Sequence, residues 1–89
     1  MDSRLSTHSS VIDAFGGPAE YGEAIKIAPS HARAMKARDS ISPAYWRRTA
    51  AAARERRLAS ITFMTLAEIA ADAAERRLAH NEQLAGRAA

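Results

Sequence analysis

Apolar side chains recur every three or four residues along most of the chain, which is the spacing of an amphipathic helix. No segment alternates apolar and polar residues as a half-buried strand would. Gly and Pro residues interrupt the pattern at several points and divide it into separate elements. We therefore expect an all-α fold, a compact bundle of about five helices in which the C-terminal helix is the longest.

Capping and helix-breaking residues predict where the first two helices begin and end. A serine cap, Ser9 or Ser10, starts the first helix, and Gly16-Gly17 stops it. Proline suits a first helical turn, so a second helix is expected over residues 18–25. The residues expected to point inward from these two helices are Val11, Ile12, Phe15, Tyr21, Ala24 and Ile25.

The remaining three helices follow from the same kinds of signal. A turn over residues 26–28 leads to a third helix that begins at a proline and spans residues 29–38. Ser42 caps a fourth helix over residues 43–59, and Thr62 caps a fifth over residues 63–84. The residues expected to be buried by the third and fourth helices are Ala32, Met35, Trp46, Ala50 and Ala53. Tyr45 and Trp46 are interpreted as core residues rather than as platforms for base stacking.

The fifth helix carries two apolar stripes. The residues of the first stripe, expected to pack on the other helices of the same chain, are Phe63, Leu66, Ile69, Ala70 and Ala73. Those available to a partner are Met64, Ala71, Ala74 and Leu78. The alternative is that both stripes belong to the core of one chain.

With its 89 residues the chain is expected to form one domain. Its expected parts are a flexible N-terminus (1–8), a helical domain (9–58), the C-terminal helix (59–84) and a frayed tail (85–89).

Charge is concentrated in the middle of the chain. Residues 26–57 contain nine basic and two acidic residues, a net charge of +7, whereas residues 1–25 and 58–89 carry −3 and −1. A basic segment between acidic ends is typical of a surface that binds a polyanion such as nucleic acid. The run Arg54-Glu55-Arg56-Arg57 is either a solvated face or an approach to a nucleic-acid backbone, and the sequence does not choose between them.

Several other functions find no support in the sequence. There is no cysteine, so a disulfide framework and a thiolate metal site are excluded. His8 and His80 are expected at the surface, and no histidine stands at a ligand spacing from an acid. We see no catalytic triad and no glycine-rich phosphate loop, so we expect no enzyme and no cofactor. The polar N-terminus and the short apolar runs favour a soluble, intracellular protein without a membrane partner.

The segment "AEYGEAIKIAPSHARAMKAR" has the spacing of two short helices that cross with little side chain between them. Gly22 is the small residue that permits the close approach. Lys26 stands at the turn, where a left-handed conformation is needed and costs a non-glycine residue about 1 kcal/mol. The flanking and inward apolar positions are Ile25, Ile27, Ala32 and Met35. This set of residues resembles the helix-turn-helix of phage-repressor or Cro-like proteins.

The longer segment "VIDAFGGPAEYGEAIKIAPSHARAMKARDSISPAYW" resembles small Cro-like regulators of bacterial and prophage origin, over about half of the chain. The resemblance implies that residues 9–58 form a DNA-binding domain whose third helix enters the major groove. It implies base contacts from Ser30, His31, Arg33 and Ala34, of which Arg33 suits a bidentate contact to guanine. It implies phosphate contacts from the backbone of Ala19 and the side chains of Lys36, Arg38, Arg47 and Arg48.

Cro-like proteins usually act as dimers on inverted repeats, so the resemblance also implies a homodimer, through helices four and five. The residues expected at that interface are Met64, Leu66, Ala71, Ala74 and Leu78. The expected function is a cytoplasmic, nucleoid-associated transcriptional regulator that binds double-stranded DNA. Repression is favoured over activation because the chain has no room for an effector domain. The alternative is a protein-binding module, antitoxin-like or a regulator's partner, that uses the C-terminal helix.

Overall fold

The computed structural model describes residues 5–88, and it is helical throughout with no strand in that part of the chain. Five α-helices follow one another, and the last is much longer than the others, as the sequence predicted. A 3₁₀ turn, Pro43–Tyr45, precedes the fourth helix. The helices are α1 (His8–Ala14), α2 (Pro18–Ile25), α3 (Pro29–Arg38), α4 (Trp46–Glu55) and α5 (Phe63–Ala88).

Helix α1 begins earlier than a cap at Ser9 or Ser10 would allow. Thr7 is the N-cap, and its Oγ1 accepts the Ser10 backbone N–H at 3.0 Å, while Ser10 Oγ accepts the Thr7 N–H at 3.2 Å. This reciprocal capping box satisfies two backbone donors and makes Ser10 the third helical residue. Leu5 also packs against the core, so the ordered body begins before residue 9. The rest of the segment expected to be flexible, residues 1–4, lies outside the described part.

Helices α2 and α3 have the ends that the two prolines predicted, and the turn between them has the expected backbone. Lys26 adopts φ 64° and ψ 50°, the left-handed conformation, and its N–H donates to the Gly22 carbonyl. A Cβ atom on Gly22 would lie 3.1 Å from the Ile27 carbonyl oxygen and 3.4 Å from the Ala32 Cβ. The close approach that required a small residue is therefore confirmed.

Helix α4 differs from its prediction at both ends. Its first residues form the 3₁₀ turn, and Ser42 makes no side-chain capping bond. Because a 3₁₀ turn winds three residues per turn rather than 3.6, it rotates the face of the helix that follows. Thr49, Ala52 and Ala53 are consequently the buried residues of α4, and Trp46 and Ala50, expected inside, are only partly buried.

The end of α4 comes at Glu55 instead of residue 59. Arg57 takes a left-handed conformation with φ 60°, and the Leu58 N–H donates to the Ala53 carbonyl at 2.8 Å. This bond pattern is that of a Schellman cap, which normally uses glycine at the left-handed position. The helix ends here without the glycine that usually marks a helix end in a sequence.

The core lies where α1–α4 and the first half of α5 meet. Its buried apolar residues are Val11, Ile12, Phe15, Tyr21, Ile25, Ala32, Met35, Ile41, Ala52, Ala53, Ile61, Leu66 and Ile69. Leu66 is completely buried, so it belongs to this core and not to an exposed dimer surface. Leu66 and Ile69 are about one helical turn apart, so both lie on the face of α5 that packs against the other helices.

His8 is buried, so its expected surface position is wrong, whereas His80 is exposed. The His8 Nδ1 accepts the Ile41 backbone N–H at 2.8 Å. The proton therefore sits on Nε2, which donates to the Leu66 carbonyl oxygen at 3.1 Å. The imidazole thereby joins α1, the segment before the 3₁₀ turn and α5, and nothing in the local sequence pattern indicates such a bridge.

Helix α5 begins at the predicted cap, where Thr62 Oγ1 accepts the Thr65 N–H at 3.1 Å. It runs for 26 residues to Ala88, beyond the predicted end at residue 84. Leu66 and Ile69 are buried, but Phe63 is 46% exposed and rests edge-on against Trp46 at a ring separation of 5.5 Å. From residue 75 to residue 86 every side chain is exposed.

Candidate nucleic-acid interface

Helix α3 presents one face to solvent and buries the opposite one. Ala32 and Met35 lie in the core, whereas Ser30, Arg33 and Ala37 are exposed. Ser30, Arg33 and Ala37 are three and four residues apart, so they form a single stripe along the helix. The predicted base-contacting residues Ser30 and Arg33 therefore stand at the centre of the accessible face.

Ala37 belongs to the same stripe but was not predicted as a site residue. The helical period could have indicated it, because Ala37 is four residues after Arg33 and so lies on the same side of the helix. A methyl group at this position leaves room for close approach of a duplex and suits contact with the methyl group of thymine. Ala34, which was predicted, is partly buried at one margin of the stripe.

His31 lies at this margin as well, and its ring faces the protein as much as the solvent. It packs edge-on against the Tyr45 ring, with centroids 5.4 Å apart, and it is partly buried. The contact joins α3 to the 3₁₀ turn and fixes the imidazole near the N-terminal end of α3. The His31 side chain therefore lies beside Tyr45, at the edge of the exposed face of α3.

The two cationic residues near the end of α3 lie on opposite margins. Lys36 Nζ forms an ion pair with Asp13 Oδ1 of α1 at 2.9 Å. A half-exposed pair of this kind contributes little to stability, about 0–1 kcal/mol, but it ties the ammonium to α1. Arg38 is exposed on the other margin, beside α5. A phosphate must therefore compete with Asp13 for Lys36.

Arg47 and Arg48 lie in the first turn of α4 and have different surroundings. Arg47 is exposed. Arg48 Nη1 donates to the Ile25 carbonyl oxygen at 3.2 Å, and its guanidinium lies 5.9 Å from the centroid of the Tyr45 ring. Because the carbonyls of the last helical turn lack partners within the helix, Arg48 satisfies the end of α2. Arg48 thus positions the helix pair, a role that its sequence context did not indicate.

The N-terminus of α2 holds Ala19, whose backbone was predicted to meet a phosphate. Ala19 is exposed and follows Pro18 at the first helical position. Glu20 also lies in this first turn and brings a carboxylate to the positive end of the helix dipole. A phosphate approaching the Ala19 N–H would therefore meet the repulsion of Glu20.

A buried hydrogen-bond chain supports α2 and α4 beneath this surface. The Tyr21 and Thr49 hydroxyl oxygens are 2.7 Å apart, and Thr49 Oγ1 donates to the Tyr45 carbonyl oxygen at 2.8 Å. With the Thr49 proton committed, Tyr21 is the donor in the first bond. Burial raises the pKa of Tyr21 to about 12, and the neighbouring Tyr45 adds to the rise.

The surface around α3 contains no arrangement of metal ligands. Within residues 5–88, no three His, Asp or Glu side chains come together as such a group. In the same part of the chain, no helix combines the length and the apolar character needed to cross a membrane. No protein-family model, curated protein or solved structure matches this chain.

Proposed function

We propose that this protein is a sequence-specific, double-stranded-DNA-binding transcriptional regulator that represses by occupying an inverted-repeat operator as a homodimer. The observation that carries the proposal is the exposed stripe of α3. Ser30, Arg33 and Ala37 face solvent on a helix held close to α2 at Gly22 and at the left-handed Lys26. Such a helix pair leaves the second helix free to enter a major groove.

The charge around the stripe supports the same function. Arg38 and Lys36 lie at the two margins of α3, and Arg48 lies beside the end of α2. Arg47 is exposed on α4 near Phe63. Cations placed beside a reading helix contact phosphates and set its register, while the residues of the stripe read base edges. In this proposal Arg33 makes the most specific contact, a pair of parallel hydrogen bonds to one guanine. The protein acts in the cytoplasm, at the nucleoid.

Pairing of two copies through α5 completes the proposal. Met64 is 63% exposed and Leu78 is 61% exposed, and with Ala71 they stand seven residues apart. A seven-residue repeat of apolar side chains is typical of paired helices. Ala74 lies partly buried beside this row, and it leaves space for close approach of a second helix. The row lies apart from Leu66, so one helix can serve the core and a partner together.

The test is selection of bound duplexes from a random pool at about physiological salt, followed by sequencing. We expect an enriched inverted repeat with half-sites about one helical turn apart. Arg33→Ala should then weaken binding to the selected site by about 1–3 kcal/mol and relax preference at one base pair. Arg33→Lys is the matched control, because it keeps the charge but loses the bidentate geometry. Equal binding by all three proteins would contradict base reading by Arg33.

The second candidate is a protein-binding module in which α5 docks a different chain. The exposed Met64 and Leu78 favour it, because they share one face of α5 and an apolar helix face can dock into a groove of a partner. In this case Arg33→Ala would leave partner binding unchanged, whereas Leu78→Glu would abolish it. A random pool without an enriched sequence would favour this candidate.

A further inference from the structure

A second basic surface lies beyond the end of α3, where α5 passes beside it. Arg38, Arg76, Arg77, His80 and Asn81 line one open groove of about 460 Å³ together with Asp39 and Ala73. The side chains come from two helices that are far apart in sequence. The expectation from sequence placed residues 58–89 in an acidic region, so this surface arises only from the fold.

The charges in this groove are unequal. Three arginines face one carboxylate, and that carboxylate is already engaged, because Asp39 Oδ1 accepts the Ser9 backbone N–H at 2.8 Å. Arg77 has alanines three and four residues before it, His80 three residues after it and Asn81 four residues after it. Helix α5 therefore offers it no acid at the three- or four-residue spacing of a helical ion pair. The negative end of the α3 dipole contributes about half a charge, which offsets only part of the three.

The groove adjoins the exposed stripe of α3, so a duplex bound at the stripe would bring its phosphates to the groove. Arg38 is shared between the groove and the margin of the α3 stripe, so the two surfaces are continuous. A duplex seated on the stripe would carry its sugar-phosphate backbone past the C-terminal end of α3. Ala73 of α5 lines this groove beside the arginines, so part of its wall is apolar.

We infer that the DNA footprint extends onto α5, where Arg76 and Arg77, facing Arg38 across this groove, bind the phosphate backbone flanking the bases read by α3. This inference rests on the proposed function. It assigns α5 a direct role in DNA binding in addition to its role in pairing. Because phosphate contacts carry no sequence information, Arg76 and Arg77 set affinity and register and leave base preference to Arg33.

The experiment measures binding of the full chain to the selected operator by fluorescence anisotropy at several salt concentrations. Each phosphate contact contributes about 0.9 to the slope of log affinity against log salt. The double variant Arg76→Gln/Arg77→Gln should lower the slope by about two and weaken binding at physiological salt by roughly tenfold or more. The consensus sequence selected by the variant should match that of the wild type.

The matched control is Arg54→Gln/Arg56→Gln, which removes the same charge from the end of α4, where neither residue lines the α3–α5 groove. Circular dichroism verifies that both double variants keep their helix. An unchanged slope in the α5 variant, or equal losses in both variants, overturns the inference while wild-type binding upholds the proposed function. A wild type that selects no sequence removes the proposed function and the inference with it.

Discussion

Lys26 shows how a single residue holds the helix pair at a cost. Its left-handed backbone, φ 64° and ψ 50°, brings the Ile27 N–H to the Gly22 carbonyl at 2.9 Å and so turns the chain from α2 into α3. A side chain in this conformation costs about 1–2 kcal/mol, because its Cβ crowds the backbone, and glycine avoids that cost. The strain is local and does not depend on any contact of the ammonium group.

Lys26→Gly should therefore raise the free energy of unfolding by about 1 kcal/mol, measured by urea denaturation. Lys26→Ala is the control, because it removes the same ammonium and keeps the strained Cβ. If the alanine variant gains as much as the glycine variant, the stabilisation comes from losing the charge. The left-handed turn would then not be the cause.

At the residue scale the sequence predicted the left-handed turn, the small residue at Gly22 and the exposure of Arg33. It could not predict the partners of Lys36, His31 and Arg48. Asp13, Tyr45 and the Ile25 carbonyl reach those side chains only after three helices have packed. His8 is the clearest case, because its two ring nitrogens bond to Ile41 and Leu66, 33 and 58 residues away.

At the scale of elements, the predicted starts of α2, α3 and α5 were right, whereas the predicted start of α1 and both predicted ends of α4 were wrong. Pro18 and Pro29 start α2 and α3, and Thr62 caps α5. Arg57 follows the end of α4 in a left-handed conformation, a position at which glycine is the residue expected from sequence. The 3₁₀ turn was likewise hidden, since a Ser-Pro pair starts either kind of helix.

Burial of the Tyr21 hydroxyl between α2 and α4 makes their packing sensitive to alkaline pH. Tyr21 has a folded-state pKa of about 12, above its ordinary value of 10.0, so the folded state holds the phenolic proton more tightly than the unfolded chain does. The resulting stability is complete below pH 10 and is lost as the pH rises toward 12. We expect a loss of about 2–3 kcal/mol across this interval.

Urea unfolding at a series of pH values checks this, with Tyr21→Phe as the comparison. The variant lacks the titrating hydroxyl, so its stability should be lower at neutral pH by about 1 kcal/mol but should fall less between pH 10 and 12. Parallel curves for the two proteins would show that another group controls the alkaline transition.

At the scale of the whole molecule, α5 gives the protein its shape. The radius of gyration is 14.6 Å and the extents are 51 × 28 × 21 Å, whereas a compact chain of this length has a radius near 12 Å. The excess comes from the second half of α5, which leaves the body and exposes every side chain from residue 75 to residue 86. A helix that projects in this way can meet another chain without disturbing the core.

Leu78→Glu should weaken self-association by at least about tenfold, because it removes an apolar contact worth about 1.5–3 kcal/mol and adds a third acid between Glu75 and Glu82. Light scattering over a concentration series measures the effect. Gln83→Glu adds the same charge on a different face of α5 and should leave association unchanged. A wild type that stays monomeric at concentrations where it binds its operator would end the homodimer proposal.

The exposed end of α5 also makes the helix a reporter of its own pairing. An isolated helical stretch of this length is marginal in water, so its last turns open and close without unfolding of the domain. Backbone amides there should exchange with deuterium far faster than those near Leu66. When two copies associate, opening must also break the contact between them. Exchange in residues 78–86 should therefore slow as protein concentration rises, while the core amides keep a constant rate.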